Sequence, residues 1–362
     1  MLVSEETVTD KIFFRPIRSC RLFLGLRAKQ AMGFFVVHIL QFLTPTRPDP
    51  KLLPFRQWKS SATKVVMDVS IDKTALDKAS ALAEALGYIQ RFHNKVVVVK
   101  VGGSIMDDER ALSDLLNDIV FMNYVGMQPV LVHGGGKAIS QRMEASGLQP
   151  QMVMGRRYTD ERTLAIAEQV LCNEVNAFIV NFIQTQGCEA MGLHSLSSVV
   201  LFAERTYLSG PDGRRIDLGL VGDVTAVNSR LLQLLVQADS IPCIATIARD
   251  AAGNKLNVNA DTAAGAVAAA MKAEKLVVVS DTHGIRANPT DPHSRVSHLN
   301  IGQIDELVKS GVITSGMLPK VEACVAALKG GVNKTHIIDG RIPHALLLEI
   351  YTEAGIGTEI VR

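Results

Sequence analysis

Residues 96–104 read Val-Val-Val-Val-Lys-Val-Gly-Gly-Ser. The unbroken β-branched run Val96 to Val99 predicts a strand buried on both faces. It stops at Gly102-Gly103-Ser104, and a helix is expected from about Asp108 to Tyr124. The arrangement then repeats. Pro129 to Val132 reads as a second buried strand, ends in His133-Gly134-Gly135-Gly136, and leads into a helix from about Lys137 to Ser146. Successive strand–glycine–helix units imply parallel strands joined by crossover helices.

Working outward, Thr74 to Phe92 reads as an amphipathic helix, with Leu76, Ala79, Ala83, Leu86 and Ile89 at helical spacing. Further helices are expected over Leu164–Gln186, Ala260–Lys272, Lys320–Lys329 and Pro343–Ile350, with Leu307–Lys309 also helical. Strands are expected over Ile241–Ile247, Leu276–Ser280, His336–Ile338 and Gly357–Val361, and a hairpin around Pro211-Asp212-Gly213. The fold class is α/β, a largely parallel sheet with helices on both faces. Ligands of such sheets sit beyond the carboxyl ends of the strands, where both glycine turns fall.

The chain has 362 residues, enough for about two domains at ~150 residues each. A hydrophobic share of 47% with 20% charged residues fits a globular protein with a sizeable core. A net charge of +2 calls for neither nucleic acid nor an acidic membrane surface as partner. The five cysteines are scattered without a Cys-x-x-Cys pair, which speaks against a metal cluster or disulfide framework and for a reducing, cytoplasmic compartment.

Residues 1–66 differ from the rest. Their longest apolar run, Ala31 to Leu43, is shorter than the ~20 residues of a membrane span. Glu5, Glu6 and Asp10 precede the arginines, the wrong order for a signal peptide, although organellar import stays open. The segment is read either as lying upstream of a true start near Met67 or as a poorly ordered extension, and no role is assigned to it.

Five motifs carry chemistry. Lys100-Val101-Gly102-Gly103-Ser104 offers backbone N–H groups and an ammonium to an anion, or is a tight turn with a surface lysine. His133-Gly134-Gly135-Gly136 repeats the arrangement, and the helix starts after both turns favour anions. Neither turn is a Walker loop, so this is not a P-loop site, and neither is a GxGxxG fingerprint, which argues against a dinucleotide enzyme. In Gly155-Arg156-Arg157-Tyr158-Thr159-Asp160 the arginines could fork onto a carboxylate, or Thr159 or Asp160 could merely cap a helix. Asn257, Asn259 and Asp261 alternate before the Ala-rich helix, as caps or as ligand groups. Lys320, in Ser315-Gly316-Met317-Leu318-Pro319-Lys320, is a second lysine able to approach a phosphate.

In this order and spacing the motifs resemble the acetylglutamate kinases of the amino acid kinase family, from about Asp77 to Arg362. The segment His336-Ile337-Ile338-Asp339-Gly340-Arg341 and its continuation to Thr358 is the most specific match. Ser315, and Ser280-Asp281-Thr282, depart from the family's usual residues. The resemblance implies a three-layer αβα sandwich with a mainly parallel central sheet. It divides the chain into an N-terminal oligomerisation and regulatory helix over 67–95, an acetylglutamate lobe over 96–271 and an ATP lobe over 272–362. The implied reaction transfers the γ-phosphoryl group of ATP, carried with Mg²⁺, to the side-chain carboxylate of N-acetyl-L-glutamate.

By position, Lys100 and Lys320 match the family's catalytic lysines and Asp261 the aspartate that orients them. Arg157 and Asn257 match substrate-binding groups. Gly102, Gly103, Ser104, Gly135 and Gly136 match the phosphate and substrate turns, and Asp281 belongs to the nucleotide lobe. No dedicated metal ligands are expected. The helix ending at Phe92 resembles the extra helix of arginine-inhibited hexameric members. That implies a homo-oligomer, dimer or hexamer, and an L-arginine site at Tyr88, Lys272, His336, Glu349 and Gly355. A PII-type partner stays open. The alternatives are another acyl-phosphate kinase, acting on aspartate, glutamate or carbamate, and a non-catalytic amino-acid sensor of the same fold.

Overall fold

The structure, a computed structural model, describes residues 72–209, 213–288, 291, 293–313, 316–352 and 355–362, with the backbone alone at Gly103 and Ser104. The readings of residues 1–66, of the Pro211-Asp212 turn and of Ser315 lie outside the described residues. The described strands are β1 (Val96–Val101), β2 (Gln128–His133), β3 (Met152–Val153), β4 (Arg156–Arg157), β5 (Glu189–Leu193), β6 (Leu201–Ser209), β7 (Arg215–Val227), β8 (Ser240–Ala245), β9 (Ile247–Arg249), β10 (Lys255–Val258), β11 (Lys275–Ser280), β12 (His298–Asn300), β13 (Lys334–Asp339) and β14 (Thr358–Val361).

Alternation along the central strands builds the layers. Val97, Val99 and Val101 of β1 point into one core, with Leu115, Ile119, Ile179 and Leu346 of the helices on that side. Val98 points into the other core, with Val267, Leu232 and Leu328. Both faces are therefore apolar, which is why the run of valines carries no polar alternation. The sheet has eight strands in the order β12-β14-β13-β11-β1-β2-β8-β5. Neighbours run parallel except β13 and β14. This is the expected three-layer αβα sandwich.

Three readings change. The residues on either side of the expected Pro211-Asp212-Gly213 hairpin do pair, β6 against β7, but within a closed barrel of β10-β7-β6-β9. The strand expected over Ile241–Ile247 is two, because the chain leaves the sheet at Thr246 and β9 joins the barrel. The helix expected over Leu164–Gln186 runs Glu161–Thr185 but passes through a π-helical stretch at Gln169–Asn176. That helix is long and apolar enough to span a membrane by length and composition. Its Val170, Leu171, Ile179 and Ile183 are packed inside the protein. The boundary read at residues 271/272 falls between the Ala260–Ala270 helix and β11, whose sheet continues through both sides. Cys172, Cys243 and Cys324 are buried free thiols, and Cys188 is buried.

Candidate active site

Lys100 is the one cation in a strand of valines. Its alternation puts it on the face of Val98, where the Ala260–Ala270 helix packs. Asn259 caps that helix, accepting from the Asp261 and Thr262 amides at 2.8 and 3.1 Å. Asn259 thus acts as a cap while also lining the cavity beside it, and the cap fixes the first turn from which Asp261 meets Lys100. Lys100 Nζ lies 2.7 Å from Asp261 Oδ1. Lys320, in the first turn of the Leu318–Lys329 helix, brings Nζ to 3.7 Å from Asp261 Oδ2. One carboxylate therefore joins two ammonium groups. Burial pushes the Lys100 pKa down, Asp261 pulls it up and Lys320 pushes it down again, so it sits below the ordinary lysine value. Burial pushes Asp261 up, but the two lysines outweigh it and hold the carboxyl below its usual range. Asp261 is ionised at neutral pH.

The second glycine turn borders a cavity of about 230 Å³ lined by Lys100, Gly134, Gly135, Gly136, Arg157, Asn257 and Asp261, whereas Gly102 is not among its lining residues. Gly102 donates its N–H to the Val279 carbonyl at 3.1 Å. A Cβ there would stand 3.0 Å from that carbonyl and 3.4 Å from Lys100 Nζ, so glycine keeps the ammonium's approach open. At Gly135 a Cβ would press on Leu171 Cδ2 at 2.7 Å, whereas Gly136 faces open space. Gly136 opens a ten-residue helix whose start borders the cavity. The first turn differs from expectation. Gly103–Met106 is a single helical turn, and the long helix Glu109–Tyr124 has its N-terminus capped by Asp108. The anion-favouring helix dipole comes from the second turn only.

Arg157 sits on β4 of a short hairpin with β3. Its guanidinium donates to the Gly136 carbonyl and to Ser140 Oγ, both at 2.7 Å. Asn257, on β10, donates to Thr159 Oγ1 at 3.2 Å. Asp160, not Thr159, caps the next helix, accepting from the Thr163 amide at 2.8 Å. Thr159, a cap candidate by sequence, has a different place. It is fully buried, and its backbone bonds to both Leu218 and Leu220, tying the hairpin that carries Arg157 to the strand beside Asn257.

Asp281 lines a second cavity, of about 300 Å³, with Thr282, Gly284, Arg286 and Met317. Among the described residues no group of three or more His, Cys, Asp or Glu could hold a metal. Asp281 is the one carboxylate among the described residues lining this second cavity.

A third cavity, of about 650 Å³, is lined by Tyr88, His336, Glu349 and Gly355. Lys272 is not among its lining residues. It ends its helix in a left-handed conformation, φ 48°, and is exposed. Lys275, three residues on, lines the cavity instead, as do Arg91 and Lys334. Glu349 Oε1 meets His336 Nδ1 at 2.6 Å, and Oε2 accepts from the Ile356 and Gly357 amides at 2.7 and 2.9 Å. Burial pushes Glu349 up, but His336 and the two amides outweigh it and hold it low. Burial also holds His336 below its ordinary value, so a neutral imidazole donates to a carboxylate. His336 Nε2 is buried and makes no hydrogen bond.

The amino acid kinase family matches residues 95–339. The acetylglutamate kinase of Symbiobacterium thermophilum is 45% identical over 293 residues, 81% of this chain and 100% of that one. N-acetylglutamate synthase from Neisseria gonorrhoeae, solved with coenzyme A and N-acetyl-glutamate, superimposes with a TM-score of 0.69 at 25% identity, over 78% of this chain. The match spans only 63% of the synthase chain. Carbamate kinase from Giardia lamblia shares the fold, with a TM-score of 0.54 at 15% identity over 74% of this chain and 98% of that one. The two lysines on one aspartate, the paired glycine turns and this agreement in sequence lead to one conclusion: the chain belongs to the amino acid kinase family, in its acetylglutamate kinase branch.

Proposed function

We propose that this protein transfers the γ-phosphoryl group of ATP to the side-chain carboxylate of N-acetyl-L-glutamate, and that L-arginine inhibits it from the third cavity. A carboxylate oxygen forms the new P–O bond while the bond from the γ-phosphorus to the bridging oxygen of ADP breaks. The nucleophile is already anionic, so no proton moves and no general base is needed. The obstacle is repulsion between a carboxylate and a polyphosphate. Catalysis then rests on positioning and electrostatic stabilisation. Lys100 and Lys320 supply the positive charge, Asp261 holds them at one point, and the amides of the glycine turns add donors. Arg157 and Asn257 would hold the substrate. Mg²⁺ brought in with ATP, near Asp281, would neutralise phosphate charge.

The observation that carries this reading is Asp261 between the two ammonium groups, 2.7 and 3.7 Å away, at the wall of a cavity bounded by the glycine turn. Support for the acid comes from relatives named acetylglutamate kinase and from a neighbour solved with N-acetyl-glutamate. Support for arginine comes from a cavity holding a carboxylate, an unused imidazole nitrogen and several cations, which suits a molecule with both a guanidinium and a carboxylate. Leu76, Leu82 and Leu86 lie exposed at 55%, 71% and 53% on the Lys73–Phe92 helix, which supports assembly into a homo-oligomer through it.

Trapping the acyl phosphate as its hydroxamate tests the reaction, with acetylglutamate, aspartate, glutamate and carbamate as acceptors and with or without arginine. Product is expected with acetylglutamate and ATP together, and less of it with arginine. Stronger turnover of another acid would overturn the substrate. Arginine inhibition that survives deletion through Phe92 would overturn the regulatory part.

A further inference from the structure

Behind the Gly134-Gly135-Gly136 turn lies His133, fully buried and gripped at both ring nitrogens. Asn176 Nδ2 is 2.8 Å from Nε2, and the Gly134 carbonyl oxygen is 3.2 Å from Nδ1. The same amide nitrogen is 2.9 Å from the Cys243 carbonyl of β8. A carbonyl only accepts, so the amide nitrogen must face it, and its other hydrogen then goes to Nε2. Nε2 is therefore the bare nitrogen. The proton sits on Nδ1, which donates to the Gly134 carbonyl. Burial pushes the ring down to about 4, so it is neutral in the working range.

Asn176 reaches this ring because the chain is locally π-helical. In an α-helix residues five apart are turned about 140° from each other. The wider i→i+5 repeat of a π-helix cuts that separation to about 50°. Leu171 and Asn176 are five apart, at either end of one such repeat. Leu171 backs Gly135, and Asn176 backs His133. Gly192 of β5 makes room, since a Cβ there would stand 2.3 Å from Asn176 Oδ1.

We propose that Asn176 is a positioning residue for the phosphoryl transfer: by holding His133 in the Nδ1–H tautomer it draws the Gly134 carbonyl back and aims the Gly135 amide into the substrate cavity. The peptide is trans, so the Gly135 N–H points opposite to the Gly134 carbonyl. With the carbonyl tied to the buried ring, the amide is turned to the side that lines the cavity. The π-helical stretch is then the device that lets one helix grip both the ring and the glycine behind it.

This inference rests on the kinase reading, and one experiment separates the two. The full chain and Asn176→Ala are compared by hydroxamate trapping, and nitrogen NMR of histidine-labelled protein reports which ring nitrogen of His133 is protonated. The His133 signal is assigned by its loss in His133→Asn. In wild type the proton is expected on Nδ1. In Asn176→Ala the single tautomer is lost and kcat falls on the order of 10–100-fold, with KM for ATP changed less than about threefold. A role in packing alone would lower thermal stability without that split. A wild-type His133 protonated on Nε2, or a folded Asn176→Ala with unchanged kcat, overturns the positioning role. A wild type that forms no acyl phosphate overturns the kinase reading itself. If Asn176→Ala does not fold, Gly192→Ala, which displaces the Asn176 side chain, carries the same expectation and the same refutation.

Discussion

Asp261 Oδ1 lies 2.7 Å from Lys100 Nζ, and both side chains are less than a tenth exposed. A buried pair of this kind is costly to break by removing one partner, because the other charge is left without compensation. Asp261→Asn leaves Lys100 facing Lys320 with no anion between them. It is expected to lower unfolding stability by roughly 3 kcal/mol and kcat on the order of 10²–10³-fold. Adding Lys100→Met to Asp261→Asn should restore part of the stability but none of the activity. Urea unfolding of the single and double variants reads the first effect. An Asp261→Asn protein as stable as wild type would show that the pair does not hold the site together.

The same pair sets a pH dependence. Lys100 is held below the ordinary lysine value by burial and by Lys320. Its ammonium is the working form, and it is lost as pH rises through that lowered pKa. Activity should therefore decline on the alkaline side before an exposed lysine would titrate. Lys320→Met removes a neighbouring positive charge, so its residual activity should persist to higher pH. A pH profile of kcat/KM for both proteins, with an alkaline limb that moves up in the variant, is the expected result. An unmoved limb would assign it to another group.

Gly213 and Gly219 share the same left-handed φ of 76°, yet their surroundings differ. A Cβ at Gly213 meets nothing within 4 Å, while at Gly219 it would stand 2.2 Å from the Thr159 carbonyl oxygen. Alanine at Gly213 should cost only the backbone term, about 1–2 kcal/mol. Alanine at Gly219 should cost roughly 1–3 kcal/mol more, as an overpacked site does. Because Thr159 Oγ1 receives the Asn257 amide, Gly219→Ala should also raise KM for acetylglutamate severalfold. Equal melting temperatures for the two variants would remove the close approach from the argument.

How much of this could be read from residues alone follows from where the signals are local. Lys100 was legible because its own strand declares itself, in valines ended by glycines. Its partners lie far along the chain, and only the strand alternation and the Asn259 cap bring Asp261 to it. The barrel was not legible: Leu201–Ser209 mixes exposed charge with half-buried residues, so its pattern resembles a surface hairpin. β5, Glu189–Leu193, holds no β-branched residue and gave no strand signal. The π-helical stretch at Gln169–Asn176 keeps an ordinary helical spacing of apolar residues, so no local pattern betrays it. Lys272 and Lys275 are three residues apart, and which one turns inward depends on where the helix stops and β11 begins.

That difference gives the last prediction. Glu349 is buried, ionised and held by His336 and two backbone amides, with one face on the third cavity. A guanidinium bound there would gain a charge-assisted bond, which is worth about 1.5–3 kcal/mol. Glu349→Gln keeps the shape and removes the charge, so the arginine concentration for half inhibition should rise on the order of 10–100-fold. Lys275 lines the same cavity, and Lys275→Ala should weaken the hold on arginine's carboxylate. Lys272→Ala, exposed and outside the cavity lining, should leave inhibition within about twofold of wild type by the same relation between free energy and binding. Inhibition curves for the three variants decide the matter. A Lys272→Ala protein that loses inhibition while Lys275→Ala keeps it would mean that arginine binds somewhere else.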